Sequence, residues 1–401
     1  MIKKITMVSG MLIAGLSMVF SQKINIPAIV FEAEAQTKVM LEEISKVKAN
    51  NPNSALVSPR TVKNGQLILG ASKDWTSGFF PGQLWYLYEF TGKKEWESEA
   101  RKFTANIERE KFNGGTHDMG FKIYCSFGNG YRLTHDAHYK EVIIQSAKTL
   151  STRFNPKAGV IRSWDHNKDK WDYPVIIDNM MNLELLFEAT KLTGDSSFYK
   201  IAVSHANQTM KNHFRADYSS YHVVDYDTAT GKVIKKTTHQ GFSDESAWSR
   251  GQAWGLYGYV MCYRETRNEA YLQQAQHIAS FILNNSNMPK DLAPYWDFNA
   301  PNIPNEPRDA SAAAITASAL YELRAYVNNN KTYQQSANKI IKSLTGKYRS
   351  KIGENRGFIL LHSTGSKPSN SDVDAPLSYA DYYYLESLLR KKKLDQKKKL
   401  F

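Results

Sequence analysis

The chain has 401 residues, 42% of them apolar, and its 52 Lys and Arg against 39 Asp and Glu give a formal net charge of +13. Ordinary globular composition over that length allows one large domain or two medium ones. Two distant cysteines, Cys125 and Cys262, make no disulfide framework, and the lack of CxxC and HExxH leaves no motif-marked metal site, so neither metal nor cofactor is expected.

The first stretch reads as a secretory signal peptide over residues 1–21: "MIKK" is a positive start, "ITMVSGMLIAGLSMVF" holds an apolar run, and Ser21 offers a small residue for cleavage. The run is short and broken by Gly and Ser, and no later segment is long enough to span a bilayer, so the expectation is an exported, periplasmic or secreted chain with no membrane partner. A basic surface concentrates nucleic acid and acidic polysaccharide alike, but an exported chain meets the polysaccharide more often, so no nucleic-acid partner is expected. Residues 22–391 read as one domain. Residues 392–401, within "RKKKLDQKKKLF", read as a solvated basic tail.

The first helix of the mature chain is "FEAEAQTKVMLEEISKVKAN", amphipathic throughout. One turn design then recurs. A helix ends at Thr or Asn, and an aromatic five residues later opens the next: Thr91 to Trp96, Thr134 to Tyr139, Thr193 to Phe198, Thr266 to Tyr271 and Asn328 to Tyr333. If the first helix pairs with the last, "PLSYADYYYLESLLRK", six hairpins result. They either stack openly or close into an all-α (α/α)6 barrel, and closure is the expectation. First helices such as "GQAWGLYGYVMCY" are rich in small and apolar residues and belong inside. Second helices such as "EAYLQQAQHIASFILNN" are amphipathic and belong outside. In such a ring the inner helices run in one direction, and their N-termini share one mouth.

The residues gathered at that mouth are Asp74 and Trp75, His117 and Asp118, Asp178 and Asn179, Trp248, Arg250 and Trp254, Arg308 and Asp309, and Ser378 and Asp381. Asp178 poses the sharpest choice. Placed between the apolar run Val175–Ile177 and the helix of "MMNLELLFEAT", it reads as an N-cap if taken alone. Caps do not explain Trp, His and Arg at the same end. Aromatic faces with carboxylates and donors make a sugar pocket, which raises Asp118 and Asp178 to candidate acid/base groups. Arg250 either holds a substrate carboxylate or makes a structural ion pair with a helix-end Asp. Trp254, four residues on, shares its face and is assigned to the pocket. His222 lies on a β-like loop.

The segments "HDMGF", "IIDNMMNLELLFEAT", "WSRGQAWGLYGY" and "SYADYYYLESLLR" resemble the unsaturated glucuronyl hydrolases of glycoside hydrolase family 88, in the right order over nearly all the mature chain. The resemblance implies an (α/α)6 barrel that removes Δ4,5-unsaturated uronic acid from oligosaccharides left by polysaccharide lyases. It assigns Asp178 as general acid/base and Asp118 as its carboxylate partner. His117, His222, Thr238, Gln240, Arg250 and Trp254 fall on substrate contacts, and Trp75 and Trp164 on stacking walls. Ser366 and Ser369 fit the serines of a sulfate-contacting stretch found in some members, but Ser371 stands where those members have lysine. Unsulfated ends are therefore expected to serve at least as well as heavily sulfated ones.

The chemistry so implied needs one carboxyl that is protonated at working pH, and a second carboxylate close by is expected to raise it by like-charge repulsion. The related unsaturated rhamnogalacturonyl hydrolases, a non-catalytic glycan-binding toroid and an (α/α) polysaccharide lyase stand as alternatives. The expected partner is an acidic unsaturated oligosaccharide, and the protein is expected to be a monomer.

Overall fold

The computed structural model describes residues 24–51, 54–327 and 331–400. The expected signal peptide, 1–21, and Asn328 of the fifth turn lie outside them. Among the described residues the helices are α1 (Ile26–Asn50), α2 (Phe79–Thr91), α3 (Lys94–Ala105), α4 (Asn129–Thr134), α5 (Ala137–Ser151), α6 (Leu183–Thr193), α7 (Ser196–Asn212), α8 (Ser249–Thr266), α9 (Glu269–Asn284), α10 (Ala310–Tyr326), α11 (Lys331–Lys347) and α12 (Ser378–Asp395). A π-helical stretch, Gly120–Gly128, leads into α4, and a 3-10 stretch, Ile177–Asn182, leads into α6.

The turns between paired helices repeat one device. Gly92, His135, Gly194 and Arg267 turn left-handed, with φ of 69°, 54°, 78° and 56°, and each donates its amide to the carbonyl four residues back. The threonine just before each, Thr91, Thr134, Thr193 and Thr266, closes its hydroxyl onto its own helix. Asp136, Asp195 and Asn268 then cap the next helix. Trp96, Tyr139, Phe198 and Tyr271 follow within a turn and are buried against the preceding helix. The local sequence thus dictates each hairpin before any ring forms.

Helices α2, α4 with its π-helical lead, α6, α8, α10 and α12 pack in succession, and α12 packs against α2. The ring is closed: this is an (α/α)6 barrel, not an open stack. In α10 every residue from Ala310 to Leu323 is buried, as an inner helix requires. Its outer partner α11 buries only the stripe Tyr333, Ala337, Ile340, Ile341 and Leu344. Helix α1 lies outside the ring over α2 and the end of α12: Thr37 accepts from Gln83 of α2 at 3.0 Å, and Ile26, Pro27 and Val30 share a recess with Phe90, Lys392 and Asp395.

Inner helices approach closely where glycine permits it. A Cβ on Gly82 of α2 would sit 2.4 Å from the Cys125 carbonyl oxygen and 2.4 Å from the Tyr382 ring. Gly82→Ala is expected to cost about 1–3 kcal/mol by overpacking, read as a lower midpoint in denaturant.

Two expectations change at the C-terminus. The helix does not stop at 391 but runs to Asp395, and Lys393 pairs with Glu89 at 3.1 Å and donates to the Leu400 carbonyl. Part of the supposed solvated tail is folded structure, because Glu89 of α2 gives its lysine a partner. Cys125 and Cys262 are buried and free.

Strands are short and serve the mouth. Hairpin β1 (Leu56–Lys63) and β2 (Gln66–Ala71) precedes α2, and β3 (Phe154–Asn155) pairs with β4 (Val160–Ile161). The third sheet is antiparallel in the order β5 (Pro174–Ile176), β6 (Val223–Tyr226), β7 (Val233–Thr237).

Candidate active site

The third sheet sets the site by register. Val175 pairs with Val224 and Ile176 with Val223, and one residue further the Ile177 amide donates to the His222 carbonyl at 3.1 Å. Asp178 and His222 therefore leave the sheet side by side. On the other edge Val223 pairs with Thr237, so the loop after β7 passes over His222. The amides of His239 and Gln240 both donate to His222 Nδ1, at 3.0 Å each. With Nδ1 accepting, the ring proton sits on Nε2. Burial holds this imidazole well below its ordinary pKa, with His239 and Arg250 adding to the effect, so it is a neutral donor. Its Nε2 lies 3.7 Å from Asp178 Oδ2.

The Asp118 segment is stitched to the same sheet. The His117 amide donates to the Ser163 carbonyl, Thr116 bridges Trp164, and the Ser163 hydroxyl accepts from the Ile176 amide at 2.9 Å. These strands converge on a cleft of about 270 Å³ lined by Trp75, Thr116, His117, Asp118, Trp164, His166, Asp178, His239, Gln240 and Arg250.

The two carboxyls differ sharply. Asp178 is 7% exposed, and its Oδ2 has no hydrogen-bond partner within the protein. It lies inside the 3-10 stretch, where no side-chain cap is made, so the cap reading fails. Burial pushes its pKa from 3.8 to about 6, against the pull of His117 and Arg250. The Asp118 charge adds the least to this rise. The expected like-charge cause is therefore corrected: desolvation dominates, because the sheet seals Asp178 from water. Asp118 is half-buried, and desolvation raises its pKa, but the His117 ring at 3.1 Å and the Thr116 hydroxyl at 2.7 Å outweigh that and hold it below 3.8. One acid and one carboxylate result from two aspartates.

Other unpartnered atoms surround them. His117 Nδ1, Trp164 Nε1, His222 Nε2 and Arg250 Nε are buried with no protein partner. Buried polar atoms are ordinarily bonded, so this set marks a place for an oxygen-rich ligand. A second recess at the opposite end of the barrel differs: its Glu386 accepts from Tyr86 at 2.9 Å and Tyr257 at 3.0 Å.

Several expected contacts sit elsewhere. Arg250 lines the cleft, but its Nη1 is bonded to Asp309 Oδ2 at 2.9 Å and to the Thr364 carbonyl. The ion-pair reading is thus realised in a residue that still presents Nε. Trp254 is fully buried and packs on Phe121 at 5.1 Å and Tyr383 at 5.4 Å. It lies outside the cleft lining, because it sits one helical turn further along α8 than Arg250. Thr238 accepts the Gly241 amide at 2.7 Å and shapes the loop rather than the cleft. Ser366 and Ser369 bond each other at 3.1 Å in a hairpin, and Ser369 borders a different recess with Asn64 and Asp372. That hairpin reaches the site through backbone carbonyls: Gly365 accepts from Gln240 at 3.0 Å and from Arg250, and Thr364 accepts from Arg250. Trp75 and Trp164 do form walls. Trp75 is backed by Tyr379 at 4.9 Å.

Thr116, Ser163, His166 and His239 are cleft residues that the sequence reading passed over. The "GGTHD" context placed Thr116 beside the key pair; the two histidines carry no local signal. Thr116→Val is expected to lower turnover about tenfold, since one hydrogen bond to a charged group is lost, with the fold unchanged by circular dichroism.

Among the described residues no cluster of His, Cys, Asp and Glu could hold a metal ion, and no helix is long and apolar enough to cross a membrane.

The sequence model of Glycosyl Hydrolase Family 88 matches residues 54–394. An unsaturated glucuronyl hydrolase of Formosa agariphila is 54% identical over 351 residues, covering 87% of this chain and 86% of the relative. An unsaturated chondroitin disaccharide hydrolase of Streptococcus pneumoniae is 33% identical, covering 83% and 85%. A crystal structure of an unsaturated glucuronyl hydrolase specific for heparin superposes with a TM-score of 0.87 at 46% identity, covering 92% of this chain and 98% of that one. A match of that extent, over a closed barrel with this pair of carboxyls at its mouth, places the chain in glycosyl hydrolase family 88.

Proposed function

We propose that the chain is an unsaturated glucuronyl hydrolase, which releases Δ4,5-unsaturated uronic acid from the non-reducing end of glycosaminoglycan-type oligosaccharides. The observation that carries this is the pair of aspartates with opposed pKa shifts in a cleft of unpartnered donors. A vinyl ether, C4=C5–O5, is hydrated by protonation at C4. Asp178, protonated up to about pH 6, supplies that proton. Positive charge then develops over C5 and O5, and ionised Asp118 stabilises it. Water adds its oxygen to C5 and returns a proton to Asp178. The C5–O5 bond of the hemiketal opens to a ketone, and C1 releases the aglycone. The donors His222 Nε2–H, Trp164 Nε1–H and Arg250 suit the substrate's carboxylate and hydroxyls.

The test is ultraviolet absorbance of the conjugated double bond in a lyase-generated chondroitin disaccharide. A hydrolase makes it fall, a lyase acting on intact polysaccharide makes it rise, and a binding protein leaves it constant. Methanol added to the reaction should be trapped at C5, with the C1 linkage still intact. A methyl glycoside at C1 would reject hydration.

Export to the periplasm or beyond, by way of residues 1–21, and a monomeric state complete this reading. The apolar run after "MIKK" supports export. A mature N-terminus near Gln22 in the exported fraction, and a scattering mass near that of one chain, are the expected results.

A further inference from the structure

The cleft has an outer wall that the reaction does not use. The Trp164 ring stacks on His166, with centroids 5.3 Å apart and planes 19° from parallel, and His239 meets it at 5.5 Å. Trp171 backs this group, 5.4 Å from Trp164 and 5.7 Å from His239. His166 and His239 are both exposed at the mouth, yet both line the cleft that holds Asp178. Among the described residues neither imidazole makes a hydrogen bond, and Trp164 Nε1 is buried without a partner. The nearest acid in sequence, Asp165, is already spent on Arg153 at 2.9 Å and Arg162 at 3.3 Å. Lys170, on the same loop, lies close enough to His239 to act on it electrostatically. The wall therefore combines an indole N–H, two imidazoles and a nearby ammonium, with its neighbouring carboxylate neutralised.

The opposite wall offers less. The serine hairpin turns Ser369 toward another recess, and Ser366 is bonded to it. Lys367 at its tip is exposed and does not line the cleft.

Resting on the glucuronyl hydrolase reading, we propose that His166 and His239 recognise an oxyanion substituent, a sulfate ester or a carboxylate, on the sugar next to the unsaturated residue. Two imidazoles flank the Trp164 ring at the cleft mouth, each able to donate an N–H to such a group, and the paired Asp165 does not repel it. Specificity for the neighbouring sugar is then set on the Trp164 side of the mouth, apart from the aspartates that do the chemistry.

The experiment compares wild type with a His166→Gln, His239→Gln double variant on three unsaturated disaccharides. Their second sugars are uncharged, 6-sulfated and a uronic acid. The readout is kcat/KM for each anionic substrate relative to the uncharged one. Loss of two hydrogen bonds to a charged group is expected to lower that ratio at least about tenfold. A fall in the sulfate arm identifies the sulfate ester, and a fall in the uronate arm the carboxylate. Ratios unchanged in both arms, with bleaching of the double bond intact, overturn this inference alone. Wild-type protein that bleaches none of the three overturns the parent function instead. Calorimetric Kd ratios for the same disaccharides, measured in an Asp178→Asn background, give a second reading independent of turnover. There too, equal ratios with and without the histidines reject the proposal.

Discussion

Asp178→Asn is expected to lose at least about a thousandfold in turnover and to become more stable than the wild type above pH 6. The activity loss follows from removing the proton donor while keeping the shape. The stability gain follows from the same burial that tunes the acid. A carboxyl raised from 3.8 to about 6 binds its proton more tightly folded than unfolded. Below 3.8 both states are protonated and nothing is lost. Between 3.8 and about 6 the folded state is progressively penalised, and above that the full cost of about 3 kcal/mol applies. Asparagine cannot ionise and escapes it. Thermal unfolding from pH 4 to 8 should show the gap between variant and wild type open up to about pH 6 and then stay constant. Near-normal turnover in the variant would remove Asp178 from the chemistry. A gap that never opens would mean the cleft hydrates the ionised carboxylate.

Asp118→Asn is expected to lower turnover by about a hundredfold or more, with a distinct effect on pH dependence. Wild-type activity should hold from about pH 4 and decline through about pH 6, as Asp178 loses its proton. Asp118 stays ionised over that whole range, since His117 and Thr116 hold it below 3.8. Removing its charge should leave the alkaline limb nearly where it was, because Asp118 contributes least to the rise at Asp178. A limb displaced downward by a full pH unit would make like-charge repulsion the main cause after all.

The hairpins were legible in the sequence because each turn is a local contract among threonine, a left-handed residue, a capping side chain and an aromatic. Nothing distant is needed to see Thr193, Gly194, Asp195 and Phe198 as one motif. The aspartates were legible because inner-helix starts must share a mouth. What escaped depends on contacts far apart in the chain. The burial of Asp178 is made by β5 pairing with β6, across more than forty residues. Trp254 was placed on Arg250's helical face and so assigned to the pocket, but four residues down a helix is also one turn deeper into the ring, and it is core. His166 and His239 sit on loops with no periodicity, and only the packing of both against Trp164 reveals them. Lys393 looked like tail because its partner, Glu89, is some three hundred residues away.

The closure of the ring by α12 against α2, with α1 outside, has a consequence for how the chain reaches this state. Five hairpins are contiguous in sequence and can form as they emerge. The sixth joins the first helix to the last, so it has the highest sequence separation the chain allows, and contacts of that kind are entropically late. Until Ser378–Asp395 is available, α2 and α10 each expose a flank lined for another helix, and the recess shared by α1 and α12 lacks one wall. A chain ending just before Ser378 would keep most of its residues and every cleft side chain named above, yet it would be an unclosed arc. Folding of this barrel is therefore a commitment made at its very end. A chain interrupted near its C-terminus should be cleared by proteases as an unfolded protein, with no partly active form accumulating.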